Sequence, residues 1–180
     1  MLRITVPKTE LFDEGTQSFI SIKEQTLQLE HSLVSLSKWE SEWHKPFFSK
    51  KDKTFEETLD YIRCMTITQN VKPEVYKCLT QENFKQINDY ISNPMTATTF
   101  SKEENQKFNR EQITAELIYY WMIESSIPVE FQKWHLNRLI TLIRVCSVKR
   151  QPAKKMSKGD VMRRNAALNA ARRQQLNTKG

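Results

Sequence analysis

Glycine is scarce in this chain, and that scarcity restricts the available folds more than any other feature does. The 180 residues contain three Gly, and Gly159 and Gly180 both lie near the C-terminus. Tight β-turns draw heavily on Gly, because it reaches positive φ angles without the steric cost of a side chain. A chain of this length can form one domain with a substantial core. We therefore predict a compact, mainly α-helical body.

Strand-like alternation is confined to the first thirty residues. Residues 3–6 alternate until Pro7, and residues 19–22 and 26–29 are predicted to form the two arms of a hairpin around Lys23-Glu24-Gln25. That turn contains neither Gly nor Asn, which short hairpin turns favour. The predicted fold class is therefore α+β, with helices predominating and a small β element at the N-terminus.

Helix start signals recur from Ser32 onward. Ser32, Thr54 and Thr80 each precede a stretch with helical apolar spacing, and Thr54 with Glu57 has the spacing of a capping box. Polar residues 95–109 are predicted to form the longest loop. The residues predicted to face inward from these three helices are Leu33, Leu36, Trp39, Trp43, Phe55, Leu59, Ile62, Met65, Phe84, Ile87 and Ile91.

The most apolar helical segment covers residues 113–123 and is apolar on every side from Leu117 onward. Such a helix is either buried in a core or covered by a partner. Pro128 suits the first turn of a following helix, so the two segments are predicted to form an αα-hairpin across residues 125–127. The second helix is predicted to bury Phe131, Trp134, Leu139, Leu142, Ile143 and Cys146, and we expect Trp121 and Trp134 to be core residues.

Positive charge is concentrated at the C-terminal end. Residues 149–180 contain ten Lys or Arg and one acid, Asp160, for a net charge of +9, whereas residues 1–148 carry −2. The high isoelectric point therefore describes the tail rather than the body. We predict a single body over residues 1–148, with its β-hairpin inside residues 1–30, and a basic, partly flexible tail over residues 149–180.

The tail is predicted to contain a helix of its own. Ser157 with Asp160 can cap a segment from Val161 to about Leu176, which has almost no apolar face and would fray in isolation. The tail contains no Phe, Tyr or Trp, so it could contact phosphates but offers no stacking platform for bases. Three interpretations stay open: a solubilising terminus, a protein-docking helix and, less favoured, a nucleic-acid-binding arm.

No sequence pattern for catalysis or cofactor binding is present. The chain has no Gly-rich phosphate loop, no Cys-x-x-Cys, no His-Glu-x-x-His and no Gly-x-Ser-x-Gly. The histidines His31, His44 and His135 lie far apart in sequence, and His135 is interpreted as an ordinary, partly buried side chain. We therefore predict no catalytic residue, no metal site and no cofactor.

The cysteine pattern predicts an intracellular protein. Cys64, Cys78 and Cys146 are odd in number, far apart and set among apolar neighbours, as expected of reduced, buried thiols. No apolar run approaches the ~20 residues that span a bilayer, and the N-terminus does not resemble a secretion signal. A membrane is therefore not an expected partner.

Two groups of side chains are candidates for binding a protein partner. Aromatic residues either pack in the core or line a groove for apolar helices, in which Trp and Tyr are preferred anchors. Arginine pairs in the tail could add contacts. The candidate partner-binding residues are Trp39, Trp43, Tyr119, Tyr120, Trp121, Trp134, Arg163, Arg164, Arg172 and Arg173.

Long stretches of the chain, rather than a catalytic signature, are similar to a known family. These stretches are residues 27–41 continuing through 43–47, then 60–65, 94–100, 113–122, 132–139, 141–146, 154–157 and 164–173. They extend from about residue 10 to the end of the chain, and residues 132–139 and 141–146 are the most specific. In these stretches the chain resembles the tail assembly chaperones of long-tailed bacteriophages of the siphophage type.

The resemblance implies a function in protein binding. Such chaperones bind the long, apolar, helical tape-measure protein, keep it soluble, help to recruit tail-tube subunits and are absent from the finished virion. The implied partners are thus a tape-measure protein and a tail-tube protein in the cytoplasm of a bacterial host, with self-association left open. The alternatives are a structural virion protein of the tail or neck and a phage protein that binds nucleic acid through the basic tail.

Overall fold

A computed structural model describes residues 1–13, 15, 17–49, 51–100, 112–150 and 157–178, which divide between two compact units, Met1–Ser147 and Val148–Gly180. Within these residues, a small β element precedes seven α-helices, so the predicted α+β fold with mainly helical content is confirmed. Residues 95–100 of the predicted long loop have no regular structure, and residues 101–109 lie outside the described part. The elements are β1 (Leu2–Val6), β2 (Thr9–Asp13), β3 (Ser18–Ile22), β4 (Gln25–Leu29), α1 (Leu33–Trp43), α2 (Phe55–Met65), α3 (Pro73–Lys77), α4 (Gln81–Ser92), α5 (Ala115–Glu124), a 3₁₀ helix (Val129–Lys133), α6 (Leu136–Arg150) and α7 (Lys158–Leu176).

The four strands form one antiparallel ladder that is interrupted in its middle. β1 pairs with β4 and β2 pairs with β3, and both pairs keep the same register because two residues are skipped on each side. The skipped residues are Pro7-Lys8 and Lys23-Glu24. Proline has no N–H to donate to a ladder, which accounts for the break on that side.

The predicted pairing of residues 19–22 with residues 26–29 is therefore wrong. Both segments are strands, but each pairs with an earlier strand, and β2 was not predicted at all. Lys23 and Glu24 connect β3 to β4, and Gln25 is already the first residue of β4, so no hairpin closes here. Which strands pair depends on residues far apart in sequence and on the interruption at Pro7. The alternation of apolar residues within one strand does not predict either.

The β1–β4 pair supplies one wall of the core. Ile4, Val6, Leu27 and Leu29 alternate with exposed or half-buried residues and are at most 2% exposed. The outer edge of β4 is covered by the chain that follows α2, where the Ile67 amide donates to the Gln28 carbonyl at 2.8 Å. Covering that edge removes a row of unpaired backbone groups from solvent.

The predicted helix starts in this unit are confirmed in atomic detail. The hydroxyls of Ser32, Thr54 and Thr80 each accept the backbone N–H three residues later, and the side chain at that position accepts the N–H of the cap residue in return. Reciprocal caps satisfy helix N–H groups that have no partner inside the helix. Local sequence is thus sufficient to place the starts of α1, α2 and α4.

The predicted inward faces are confirmed only in part. Leu33, Leu36, Trp39, Ile62, Met65 and Ile87 are fully buried, and Trp43, Leu59, Phe84 and Ile91 are half-buried against the core. Phe55 is 65% exposed, so its predicted inward position is wrong. It is the first residue of α2, where the chain is still entering the helix.

The segment after α5 departs from the predicted αα-hairpin. Pro128 precedes the 3₁₀ helix, Trp134 is extended, and α6 begins only at Leu136, whose N–H donates to the His31 carbonyl at 2.7 Å. Phe131 and Trp134 therefore do not lie on α6. Both are half-buried, as is Trp121, so the prediction that Trp121 and Trp134 are core residues is wrong. Of the remaining predicted inward positions, Leu139 and Ile143 are buried, whereas Leu142 and Cys146 are half-buried.

The unit Val148–Gly180 contains α7. Its N-cap is Ser157, whose hydroxyl accepts the Asp160 N–H at 3.1 Å, as the sequence predicted. No side chain of this described helix is buried. No helix in the described ranges combines the length and the apolar character needed to cross a membrane.

Candidate partner-binding surface

A buried carboxylate from α1 holds the start of α5. Glu40 is 8% exposed, and its two oxygens accept the backbone N–H groups of Phe47 and Ala115, each at 2.7 Å. Ala115 is the first residue of α5, where the helix dipole is positive. Hydrogen bonds to a charged acceptor are about twice as strong as neutral ones. Glu40 thus fixes the first turn of α5 against α1.

One face of α5 is packed into the body. Ala115, Ile118 and Met122 recur at helical spacing and are at most 2% exposed. The Tyr119 hydroxyl donates to the Gln132 side chain at 2.8 Å, which ties the helix to the 3₁₀ helix that follows. Burial raises the pKa of Tyr119, with Glu116 as the second cause, so the phenol stays protonated and able to donate.

The opposite face of α5 is open to solvent. Glu116, Tyr120 and Ile123 lie on it, and Tyr120 is 57% and Ile123 78% exposed. On the 3₁₀ helix, Val129 is 58% exposed and Glu130 is also exposed. We refer to these five residues as the α5 surface. The segment predicted to be apolar on every side therefore has one face buried by its own chain and another that is uncovered.

The α5 surface has a uniform charge sign. From Gln112 to Gln132 the sequence contains three acids, including Glu116 and Glu130, and no Lys or Arg. Negative side chains thus accompany exposed apolar ones, and the first base that follows them is Lys133, the last residue of the 3₁₀ helix. A partner suited to this surface would combine apolar side chains with positive charge.

The candidate tryptophans of α1 both donate a hydrogen bond to α2. Trp39 is 1% exposed and its indole N–H donates to the Glu57 carbonyl at 2.9 Å. We therefore assign Trp39 to the core and not to a binding surface. Trp43 is half-buried, and its indole N–H donates to Asp60 at 2.9 Å.

The other aromatic candidates lie on α5 or just before α6. Tyr119 and Trp121 are half-buried on the flanks of α5, and Tyr120 is the exposed member of the three. Trp134 is half-buried, stacks on Phe131 with 4.1 Å between ring centroids, and has the Arg138 guanidinium 4.1 Å from its ring centre. Tyr120 is thus the predicted aromatic residue best placed to contact a partner.

The four candidate arginines belong to α7. Arg163, Arg164, Arg172 and Arg173 are all exposed. Arg163 also forms a salt bridge with Asp160 at 3.2 Å, one turn earlier on the same helix. An exposed pair of this kind contributes little to stability.

Sequence reasoning missed several residues that shape the surface. Ile123 belongs to the segment predicted to be buried in a core or covered by a partner, and it is exposed. Val129 and Glu40 were not singled out from the sequence. A second exposed apolar pair lies on the β2–β3 ladder, where Phe12 and Phe19 face each other with centroids 5.2 Å apart. The acid at position 116, one helical turn before Tyr120, was the available signal for the open face of α5.

A buried polar cluster joins the start of α1 to the start of α6. His31 Nδ1 lies 2.6 Å from the Tyr61 hydroxyl, and the His31 and His135 rings are 5.1 Å apart. Burial, followed by the neighbouring His135, lowers the pKa of His31 to about 4, and burial also lowers the pKa of His135. Both rings are therefore neutral at pH 7, and His135 Nε2–H donates to the Tyr90 carbonyl at 3.0 Å. The cluster acts as a polar part of the core.

Two other groups of polar side chains are already engaged with each other. Glu42, Asp60 and Cys64 have potential ligand atoms within 4.8 Å, but Arg63 forms salt bridges with both carboxylates. Burial, with Asp60 as the second cause, raises the pKa of Cys64 to about 11, so its thiol is protonated. We assign no metal to this group.

The second such group surrounds a recess of about 290 Å³ lined by Glu30, Tyr90, Trp134 and Arg138, among others. Glu30 accepts the Tyr90 hydroxyl at 2.7 Å and forms a salt bridge with the Met1 ammonium at 3.0 Å. Its carboxylate is therefore already paired on both oxygens. The recess is also lined by Lys133 and by His135, whose Nδ1 has no hydrogen-bond partner among the described residues, but Glu30 is the one acid in its lining. For binding a protein partner, the α5 surface is the stronger candidate site.

Comparisons with known proteins add no relative. No protein-family model matches the chain, and no curated protein or solved structure is significantly similar to it.

Proposed function

We propose that this protein is a phage tail assembly chaperone that binds helical segments of a tape-measure protein on the α5 surface. The observation that supports the proposal best is the two-sided character of α5. Its inner face is fixed by Ile118, Met122 and Glu40, while Tyr120 and Ile123 remain largely in water. A rigid helix that presents apolar side chains is suited to an amphipathic helix of a partner.

The physical requirements of the proposed role are met by such a surface. Tyrosine is a preferred anchor in interfaces, and an exposed Ile beside it adds apolar area. Two apolar side chains on a helix give modest affinity, so each contact can later be replaced by a tail-tube subunit. Many copies along one tape-measure protein would compensate through avidity.

The proposal places the protein in the bacterial host cytoplasm and leaves it out of the mature virion. Its partners are the tape-measure protein and the tail-tube protein, and its function requires neither a cofactor nor catalysis. The resemblance of residues 10–180 to tail assembly chaperones gives the partners their names, and the exposed side chains of α5 give the binding surface.

Co-expression with the tape-measure protein of the same phage tests the proposal. The wild-type chain should move the tape-measure protein from the pellet to the supernatant, and the complex should survive nuclease and moderate salt because its main contacts are apolar. Replacing both exposed side chains, as Tyr120→Ser with Ile123→Ser, should return the partner to the pellet. The matched control is Phe55→Ser, which removes a side chain that is 65% exposed on α2.

Two results would contradict the proposal. The tape-measure protein could stay insoluble with the wild-type chain, or the double variant could solubilise it as well as the wild type does. Recovery of the protein with nucleic acid that salt removes would favour the alternative in which the exposed arginines of α7 contact phosphates. Its detection in purified particles by peptide mass spectrometry would favour a structural virion protein.

A further inference from the structure

Helix α7 exposes apolar side chains as well as charged ones. Val161, Met162, Leu168 and Leu176 are between 40% and 73% exposed, and no residue of this 19-residue helix is buried. A solitary helix of this length is marginally stable in water, and most helices in proteins depend on packing against another surface. Among the described residues, α7 therefore buries none of its side chains.

The α5 surface also leaves apolar side chains in water, and its charge has the opposite sign. It exposes apolar side chains on a helix that is otherwise fixed, and its segment, residues 112–133, carries three acids and one base, Lys133. Residues 149–180, in contrast, carry a net charge of +9. The α5 surface and α7 thus both leave apolar residues in water and carry charges of opposite sign.

We propose that α7 of one copy of this protein docks on the α5 surface of a second copy. The apolar residues of each helix would cover those of the other, and the arginines of α7 would lie beside Glu116 and Glu130. Apolar contact would supply most of the affinity, and the opposite charges would select the partner and speed the encounter.

Helical spacing allows the two sets of residues to meet. Val161 and Leu168 are seven residues apart and share a face, with Arg172 one turn beyond Leu168, and seven residues correspond to roughly 10 Å along a helix. On α5, Glu116 and Ile123 have the same separation, with Tyr120 between them. Each helix therefore presents two apolar side chains and one charged side chain on a single face, and the charges on the two helices are opposite.

The contact differs from a symmetric dimer interface because each copy contributes two different surfaces. Contacts of this type close into rings or continue as chains of copies. The contact between copies does not depend on the proposed function. If the proposed function is also correct, α7 would occupy the tape-measure site until the tape-measure protein displaces it. Its test uses this protein alone, so either idea can fail without the other.

Charge exchange on the full chain tests the contact. The first variant is Glu116→Lys with Glu130→Lys, and the second is Arg172→Glu with Arg173→Glu. Sedimentation velocity of the wild type should show self-association at low salt that weakens as salt is added. Each variant alone should weaken association by about tenfold, because attractive charge pairs become repulsive ones.

Mixing the two variants is the decisive measurement. In the mixture, the unaltered tail of the first variant meets the unaltered α5 surface of the second, and the carboxylates introduced at positions 172 and 173 of the second meet the ammonium groups introduced at positions 116 and 130 of the first. Association should therefore return to the wild-type level in the mixture, although each variant alone is mostly monomeric. The matched control is Glu82→Lys with Asp89→Lys, which makes the same charge change on exposed positions of α4 and should leave association unchanged.

Several outcomes would overturn the proposal. The wild type could remain monomeric at every salt and protein concentration, which includes the case in which α7 docks within its own chain. The variant mixture could fail to associate while circular dichroism shows both variants to be folded. Association could also disappear on nuclease treatment, which would identify nucleic acid as the linker between copies.

Discussion

Helices α5 and α7 differ in what makes them helical. α5 has ten residues and is anchored by a buried face and by Glu40, whereas α7 has nineteen residues and no buried side chain. α7 depends on its Ser157 cap and on the good helix propensity of its Ala and Arg residues. Local sequence is thus sufficient to specify α7, but α5 owes its position to contacts with distant parts of the chain. The function proposed for each helix follows from the side it leaves exposed.

The largest expected difference in unfolding free energy is between a substitution on the buried face of α5 and a substitution on α7. Ile118→Ala should lower the free energy of unfolding by about 2–5 kcal/mol, because a fully buried side chain is lost and a cavity remains. Leu168→Ala on α7, where the side chain is 47% exposed, should change it by less than about 0.5 kcal/mol. Denaturant unfolding followed by tryptophan fluorescence reports on the body, because all four Trp precede residue 148. Equal losses for the two variants would abolish the distinction.

The buried histidines should make the body, but not α7, sensitive to acid. The pKa of His31 is about 4 in the folded protein and about 6.5 in the unfolded chain, so the unfolded state binds more protons between these values. The contribution of neutral His31 to the free energy of unfolding is fully present above pH 6.5. It is lost progressively as the pH falls to about 4, and the loss from His31 alone is about 3 kcal/mol. The lowered pKa of His135 acts in the same direction.

The acid effect is checked by measuring the unfolding free energy at several pH values between 7.5 and 4.5. His31→Gln should flatten the dependence, because an uncharged side chain replaces the titrating ring. His44→Asn is the matched control, since His44 is an exposed residue with φ of 53° at the end of α1 and Asn tolerates that conformation. An unchanged slope for His31→Gln would mean that other groups cause the acid sensitivity.

The sequence predicted helix starts well and side-chain exposure poorly. Capping hydroxyls such as Thr54 act within three residues, so their effect can be read locally. Strand pairing could not be read in this way, because the residues that pair between β1 and β4 are 19 to 27 positions apart in the sequence. For the same reason, the apolar run of α5 could not reveal that Ile118 would be buried and Ile123 exposed. Which face is covered depends on Glu40 and on the core, which lie far away in sequence.

The sequence predicted which types of residue would form the candidate site better than it predicted where those residues lie. Tyr120 was selected from its sequence context and is exposed, but Trp39, selected in the same way, is a core residue. Both occur in helices with aromatic neighbours, so residue type alone does not separate them. Trp134 was predicted to lie inward on α6 because Pro128 favours an α-helical first turn, whereas a 3₁₀ helix forms there instead.

Weakening the hydrogen bonds of Glu40 should affect α5 and not α7, because only the first of these two helices is held by Glu40. Glu40→Gln keeps the size of the side chain but loses the charge and replaces one acceptor oxygen with an NH₂ group. One of the N–H groups of Phe47 and Ala115 then loses its partner. We expect a loss of about 1.5–3 kcal/mol of unfolding free energy, the usual value for hydrogen bonds to a charged group. Amide hydrogen exchange should rise at the start of α5 and stay unchanged in α7, and Glu42→Gln, an exposed substitution on the same helix, is the control.

Removing the tail should have the smallest effect on the body. α7 buries no side chain, so truncation after Val148 forfeits little apolar burial, and the unfolding free energy should change by less than about 0.5 kcal/mol. Truncation should nevertheless abolish the salt-dependent self-association, since the body would keep its acidic α5 surface but lose the helix proposed to cover it. Differential scanning calorimetry and sedimentation velocity on the same sample separate the two effects. If the truncated chain were unfolded or insoluble, Val161, Met162 and Leu168 would have to contribute to the core. If it folded and still self-associated, another exposed apolar pair, such as Phe12 with Phe19, would be the contact between copies.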